Sequence, residues 1–235
     1  MIKKMTNKYQ PLENTIGIKF KNKKLLENVF VHRSYLNEHK NFYLPSNEKL
    51  EFLGDSVLSL VTSIYLYKNY PNLAEGDYTD IKASIVRTES LGEEAKNIQI
   101  GRYLLLSKGE EKGKGKENIN ILADCFEALI AAIFIDRGFD EAYDFILKYL
   151  FKDKLTYIIE KKLYLSPKSR LQEIIQAEYK ILPDYKILEE KGPEHMKTFK
   201  VGVYLHDKKL GVGSGNSKKQ AEETAAKNAL EKTAV

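Results

Sequence analysis

A single cysteine, Cys125, excludes an intramolecular disulfide and fits a reducing compartment. No hydrophobic run approaches the roughly 18 residues of a membrane-crossing helix. Met1 to Gln10 is polar and lysine-rich with no apolar stretch behind it, which predicts no secretory signal. These absences predict a cytoplasmic chain with no membrane partner. No strong excess of either charge is present: 38 Lys and Arg stand against 33 Asp and Glu, a net charge of +5. That balance favours an anionic partner without establishing one. Cys125 has no His or Asp arrangement to activate it and reads as a packing residue.

What is present is an unusual placement of acids. Asn47 to Leu58 has helical periodicity, and Glu48, Glu51 and Asp55 stand at i, i+3 and i+7, on one face of that helix. Leu50, Leu53, Val57, Leu58, Val61 and Ile64 make the segment apolar enough to be buried, where crowded carboxylates are costly. No Lys or Arg at helical spacing offsets them. A second apolar helix, expected from Ile121 to about Arg137 with Asn120 as its cap, repeats the pattern with Asp124 and Glu127 at i and i+3.

Elsewhere in the first 150 residues the periodicity predicts helices over roughly Lys23 to Ser34, from Ala74–Asp77 through Ile85, from Glu89 to Asn97, and after Gly138 to Tyr149 or Leu150. Residues 36–46 and Ser107 to Glu117 read as loops, the second as either a solvated connector or a phosphate-contacting segment. Beyond Pro167 the pattern changes class. Ser166-Pro167 starts a helix with Leu171, Ile174, Ile175 and Tyr179 on its apolar face. Alternating runs follow at Tyr185–Glu190, Thr198–Leu205 and Leu210–Ser214. A capping box at Ser217–Gln220 opens a last helix whose Ala221, Ala225, Ala226 and Ala229 are small enough to lie flat on a sheet. The fold class expected is an all-α domain over 1–158, a linker over 159–166 and a small α+β domain, α-β-β-β-α, over 167–235.

Packed together, the two acidic helices make a cluster of Glu51, Asp55, Asp124 and Glu127, with Glu48 at its rim. Four uncompensated charges in one cleft require a cation. Oxygen ligands without Cys or paired His select Mg²⁺, with Mn²⁺ a plausible substitute, over zinc. The implied reaction is hydrolysis of a phosphodiester by a water that the metal activates. For Glu48, a first-turn acid that suits the helix dipole is an equal alternative. His32 and His39 read as ordinary residues rather than ligands.

In the C-terminal domain, Lys218 and Lys219 occupy the first helical turn, where the dipole disfavours cations unless an anion rests there. Lys168, Gln172 and Gln176 share a polar face, and the Gly192–His195 turn supplies a third contact. Three such points on this frame match the binding of double-stranded RNA. No aromatic platform for stacking single-stranded bases is evident.

Asn47-Glu48-Lys49-Leu50-Glu51-Phe52-Leu53-Gly54-Asp55 closely resembles the signature of the ribonuclease III family. The resemblance continues through Lys108–Glu111, Ile121–Asp124 with Glu127, Gly192–His195, Gly213–Gly215 and Ser217–Lys219. It implies an all-α endonuclease domain followed by a double-stranded RNA-binding domain. It places metal ligands at Glu51, Asp55, Asp124 and Glu127, with Asp55 and Glu127 catalytic, and accessory acids at Glu48 and Glu75. RNA contacts fall on Gln172, Gln176, His195, Lys218 and Lys219. The resemblance further implies a homodimer with Phe52 packed into the partner, one cut per strand leaving 5′-phosphate and 3′-hydroxyl ends with a short 3′ overhang, and rRNA and mRNA processing. A duplex-binding regulator without catalysis and a metal phosphatase for small phosphoesters are the rival readings.

Overall fold

The order of elements in the computed structural model, which describes residues 8–193 and 196–233, follows the hydrophobic pattern. Two units are present, Met1–Ile158 and Ile159–Val235. The first is helical: α1 Gln10–Ile16, α2 Lys23–Asn28, α3 Arg33–Glu38, α4 Glu48–Asn69, α5 Glu75–Ile85, α6 Thr88–Asn97, α7 Lys108–Lys112, α8 Ile119–Arg137, α9 Phe139–Ile146 and α10 Lys152–Glu160. Its centre is α8, whose Leu122, Cys125, Phe126 and unbroken run Ala128–Ile133 are buried, with α4 and α6 packed against it. Fully burying a side chain such as Phe126 or Leu58 contributes about 1.5–3 kcal/mol, so this packing outweighs the modest helix propensity of the β-branched residues among them.

Four local expectations are corrected. The helix expected over Lys23 to Ser34 is two, because Phe30 and His32 pair with Leu105: the Leu105 N–H donates to Phe30 O at 2.8 Å and the His32 N–H to Leu105 O at 3.2 Å. The cap of α8 is Asn118 and not Asn120; the Asn118 carboxamide oxygen accepts the Asn120 N–H at 2.9 Å. The segment Ser107 to Glu117 is folded. Ser107 caps α7, Glu38 accepts the Lys108 N–H, and Gly115–Glu117 form a 3₁₀ turn. Finally, α4 is long and apolar enough to cross a membrane by length and composition, which amends the expectation that no segment approaches this. It carries Glu48, Glu51 and Asp55, and it lines the domain core through Leu50, Val57, Leu58, Val61 and Leu66.

The second unit has the expected order, α11 Pro167–Tyr179, β1 Asp184–Lys191, β2 Thr198–Leu205, β3 Lys208–Gly215 and α12 Lys218–Thr233. The sheet is antiparallel in the order β1-β2-β3. Ser166 caps α11 by accepting the Ser169 N–H. Leu171 and Ile175 enter the core with Val203, Ala225, Ala226 and Ala229, whereas Ile174 and Tyr179 are exposed. Helix α12 lies so close on β3 that a Cβ at Gly213 would stand 2.1 Å from the Ala225 nitrogen. Small residues on both surfaces are what that approach requires. The capping box is displaced by one residue: Ser217 Oγ accepts the Gln220 N–H, but Gln220 Oε1 accepts from Asn216.

Candidate active site and nucleic-acid interface

One contact brings the two acidic helices together. A Cβ on Gly54 of α4 would stand 1.9 Å from the backbone oxygen of Glu127 on α8, so the backbones touch where only glycine fits. Asp55 follows Gly54 and Glu51 precedes it by one turn, which sets both acids beside Glu127. The start of α4 is fixed separately. Asn47 is buried and does not cap the helix with its side chain; its N–H donates to Val31 O at 2.8 Å and its Nδ2 to Val29 O at 3.0 Å. Cys125 Sγ reaches the same Val29 oxygen at 3.4 Å. Burial pushes its thiol well above the usual range, in keeping with a packing role.

The acids act on one another. Burial, and then the charges of Asp55, Glu51 and Asp124, push the Glu127 carboxyl up to about 8. Glu51 is raised by burial, then by Asp124 and Glu48, against a smaller opposing effect of Arg33. Burial raises Asp124, with His32 and Arg33 opposing. The expected four therefore form a single electrostatic group short of positive charge. A cavity of about 230 Å³ lies beside it, lined by His32, Arg33, Asn47, Glu48, Glu51 and Asp124.

The accessory acids differ from these. Glu48 is exposed, accepts a hydrogen bond from Ser46 Oγ at 2.7 Å and pairs with Arg33 at 3.7 Å. Glu75 is an exposed first-turn residue of α5 and does not figure among the charges that shift Glu51, Asp124 and Glu127. His32 reads from the sequence as an ordinary residue, yet it lines the cavity; Asn47 reads as a cap of α4, yet its side chain is turned to Val29 and it lines the cavity too, and nothing in the sequence points to Arg33. His39, by contrast, is exposed and stacked on Tyr35.

Among the described residues, no three His, Cys, Asp or Glu side chains stand close enough to hold an ion as they are placed. The donor set does fit an oxygen-preferring divalent cation: four carboxylates on two helices locked at Gly54, with a raised Glu127 that such a charge would lower. On the far side of α4, Phe52 is 77% exposed, with Leu60 and Tyr67 also exposed along the helix.

In the second unit Gln172 and Gln176 are exposed at i and i+4 on α11, and Lys218 and Lys219 are exposed in the first turn of α12. Lys218 Nζ lies 5.8 Å from the centre of the Phe199 ring, beside a cavity of about 520 Å³ lined also by Lys197, Asn216 and Ser217. His195 lies outside the described residues. Lys168, one turn before Gln172 on the same helix, is engaged by the protein itself. Its ammonium pairs with Glu222 and lies over the Tyr185 ring, and its N–H donates to Glu223, so it fastens α11 to α12.

Comparison with known proteins agrees with this arrangement. The family model described as Ribonuclease-III-like matches residues 22–154, and that described as Double-stranded RNA binding motif matches 167–233. The chain is 44% identical to the Ribonuclease 3 of Oceanobacillus iheyensis over 94% of this chain and 96% of that one. It is 42% identical to the Ribonuclease 3 of Listeria monocytogenes over 96% and 98%. Among solved structures, the nuclease domain of ribonuclease III from Campylobacter jejuni, described as having a region involved in dimer formation, superposes with a TM-score of 0.56 at 36% identity, covering 60% of this chain and 94% of that one. Family models that match both units, together with relatives more than 40% identical over nearly the whole length of both chains, place this chain in the ribonuclease III family.

Proposed function

We propose that the chain is a Mg²⁺-dependent endoribonuclease that hydrolyses both strands of double-stranded RNA. The observation that carries the reading is the approach of Glu51, Asp55, Asp124 and Glu127 across the Gly54–Glu127 contact, with Glu127 pushed up to about 8 by burial and then by the charges of the other three. These four residues would hold the metal. When bound, a divalent ion supplies the missing positive charge and a Lewis acid toward a phosphodiester oxygen.

The chain's own residues do the rest. Gly54 sets the spacing of the two acidic helices. Gln172 and Gln176 offer hydrogen bonds to groove edges and 2′-hydroxyls, while Lys218 and Lys219 offer charge to the phosphates, at the separate points a duplex presents. Glu48 and Glu75 remain accessory. Phe52 is proposed to pack into a second copy, which would set one site on each strand; the Campylobacter jejuni relative's described dimer region supports that assembly. Products would carry 5′-phosphate and 3′-hydroxyl ends with a short 3′ overhang, and rRNA and mRNA precursors in the cytoplasm would be the substrates.

The test is incubation with a long RNA duplex in Mg²⁺ and in EDTA. Cutting in Mg²⁺ alone is expected. Binding without metal-dependent cutting would leave a duplex-binding regulator, and activity indifferent to duplex RNA would indicate a phosphatase.

A further inference from the structure

His32 has its hydrogen bonds arranged in one direction. Its Nδ1 accepts the Ser34 N–H at 3.3 Å, which caps α3. The same nitrogen lies 2.7 Å from Ser34 Oγ, and that oxygen accepts the Ser107 N–H at 3.0 Å. A ring nitrogen that accepts from an amide carries no proton, so the Ser34 hydroxyl must donate to it. The proton of the neutral imidazole therefore resides on Nε2. The relay runs from the Ser107 amide through the Ser34 hydroxyl to the ring, and leaves Nε2–H as the ring's free polar edge. That ring lines the cavity shared with Asp124, Glu51 and Glu48; the charge of Glu110, which is not among the residues lining that cavity, acts on it most, followed by Arg33 in opposition and then Asp124 and Glu48 from within the cavity. A carboxylate among like charges has lone pairs in excess and few donors to orient it.

We infer that His32 is a positioning residue of the acidic cleft, its Nε2–H held by Ser34 so as to orient the Asp124 carboxylate for the cation. This rests on the metal-holding reading above. Outer hydrogen bonds of this kind typically govern about 10- to 100-fold in metal affinity.

Two substitutions separate this role from simple helix capping. His32→Asn keeps an N-cap acceptor and loses the distal donor; His32→Gln keeps a distal N–H and loses the cap. Melting of the full chain is followed against Mg²⁺ alone, with circular dichroism confirming that each variant folds. His32→Asn is expected to need at least about tenfold more Mg²⁺ for the same rise in Tm, with His32→Gln closer to the parent chain. Equal Mg²⁺ requirements for His32→Asn and the parent, or the reverse ranking, would overturn the proposal. A parent chain with no Mg²⁺ response refutes the metal-holding reading itself and this proposal with it. Independently, long-range ¹H–¹⁵N spectra at neutral pH should show His32 as the Nε2–H tautomer. An Nδ1–H ring in the parent chain overturns the proposal whatever the metal does.

Discussion

Gly54→Ala tests the step on which the candidate active site depends. The added Cβ would stand 1.9 Å from Glu127 O and 2.5 Å from its carbonyl carbon, and ordinary contact begins at 3.4 Å. The helices must separate by about 1.5 Å, and because the obstacle is backbone no rotamer change relieves it. Overpacking of this kind costs about 3 kcal/mol, the upper end of its usual range. Alanine returns about 1 kcal/mol of helix propensity, leaving a net loss of about 2 kcal/mol. In a domain of this size that lowers Tm by roughly 4–8 °C. The same displacement carries Asp55 and Glu51 away from Asp124 and Glu127, and a 1 Å misplacement is enough for a loss of about 100-fold in rate. Calorimetry and single-turnover cleavage of a duplex measure the two effects. A Gly54→Ala chain that melts and cuts like the parent would refute both the close contact and its role in assembling the acids.

Glu127→Gln should abolish cleavage while retaining duplex binding in a mobility-shift assay; loss of both would make Glu127 structural. Because the folded-state Glu127 carboxyl is raised to about 8, above its ordinary value of 4.5, it binds its proton more tightly folded than unfolded. Its contribution to stability is thus full below pH 4.5 and is lost as pH rises through 8. In EDTA, Tm should fall over that window; Mg²⁺ or Glu127→Gln should flatten the fall, and an unaltered slope in the variant would count against the shared charge. Lys218→Ala with Lys219→Ala should weaken duplex binding and reduce its dependence on log salt by about 0.9 per lost phosphate contact, whereas an unchanged slope removes these lysines from the interface. Phe52→Asp should shift sedimentation from dimer to monomer, and a dimer that persists would place its contact elsewhere.

The fold was largely legible because it rests on periodicity and on helix caps read at short range. Two apolar helices, an α-β-β-β-α module and the alanine face of α12 all follow from spacing within a single element. The errors arose where a distant partner decides the local conformation. Residues 29–32 extend the apolar face of the helix before them, yet their Val-Phe-Val composition suits a strand and Leu105, more than 70 positions away, draws Val31 into a bridge. Asn118 takes the cap in place of Asn120 because α8 begins at Ile119, two residues before the expected Ile121. Lys168 is engaged within the domain because Glu222 and Glu223 meet it from α12.

The same division holds within the candidate site. Glu51, Asp55, Asp124 and Glu127 could be read because a carboxylate on an apolar helix is costly unless something answers it. Gly54 could not be read from one sequence, since a glycine within a helix is equally a weak point until the second helix is seen to press on it. His32 was harder still. Its spacing matches no ligand set, and its chemistry is set by a serine two residues on and by an amide from Ser107. A residue that acts by holding another leaves its trace in the direction of its hydrogen bonds, which composition and periodicity do not record. That direction is also what makes the His32 tautomer a more decisive measurement than loss of activity: many structural defects in this cleft would slow cutting, but the Ser34 amide and hydroxyl together dictate which ring nitrogen carries the proton.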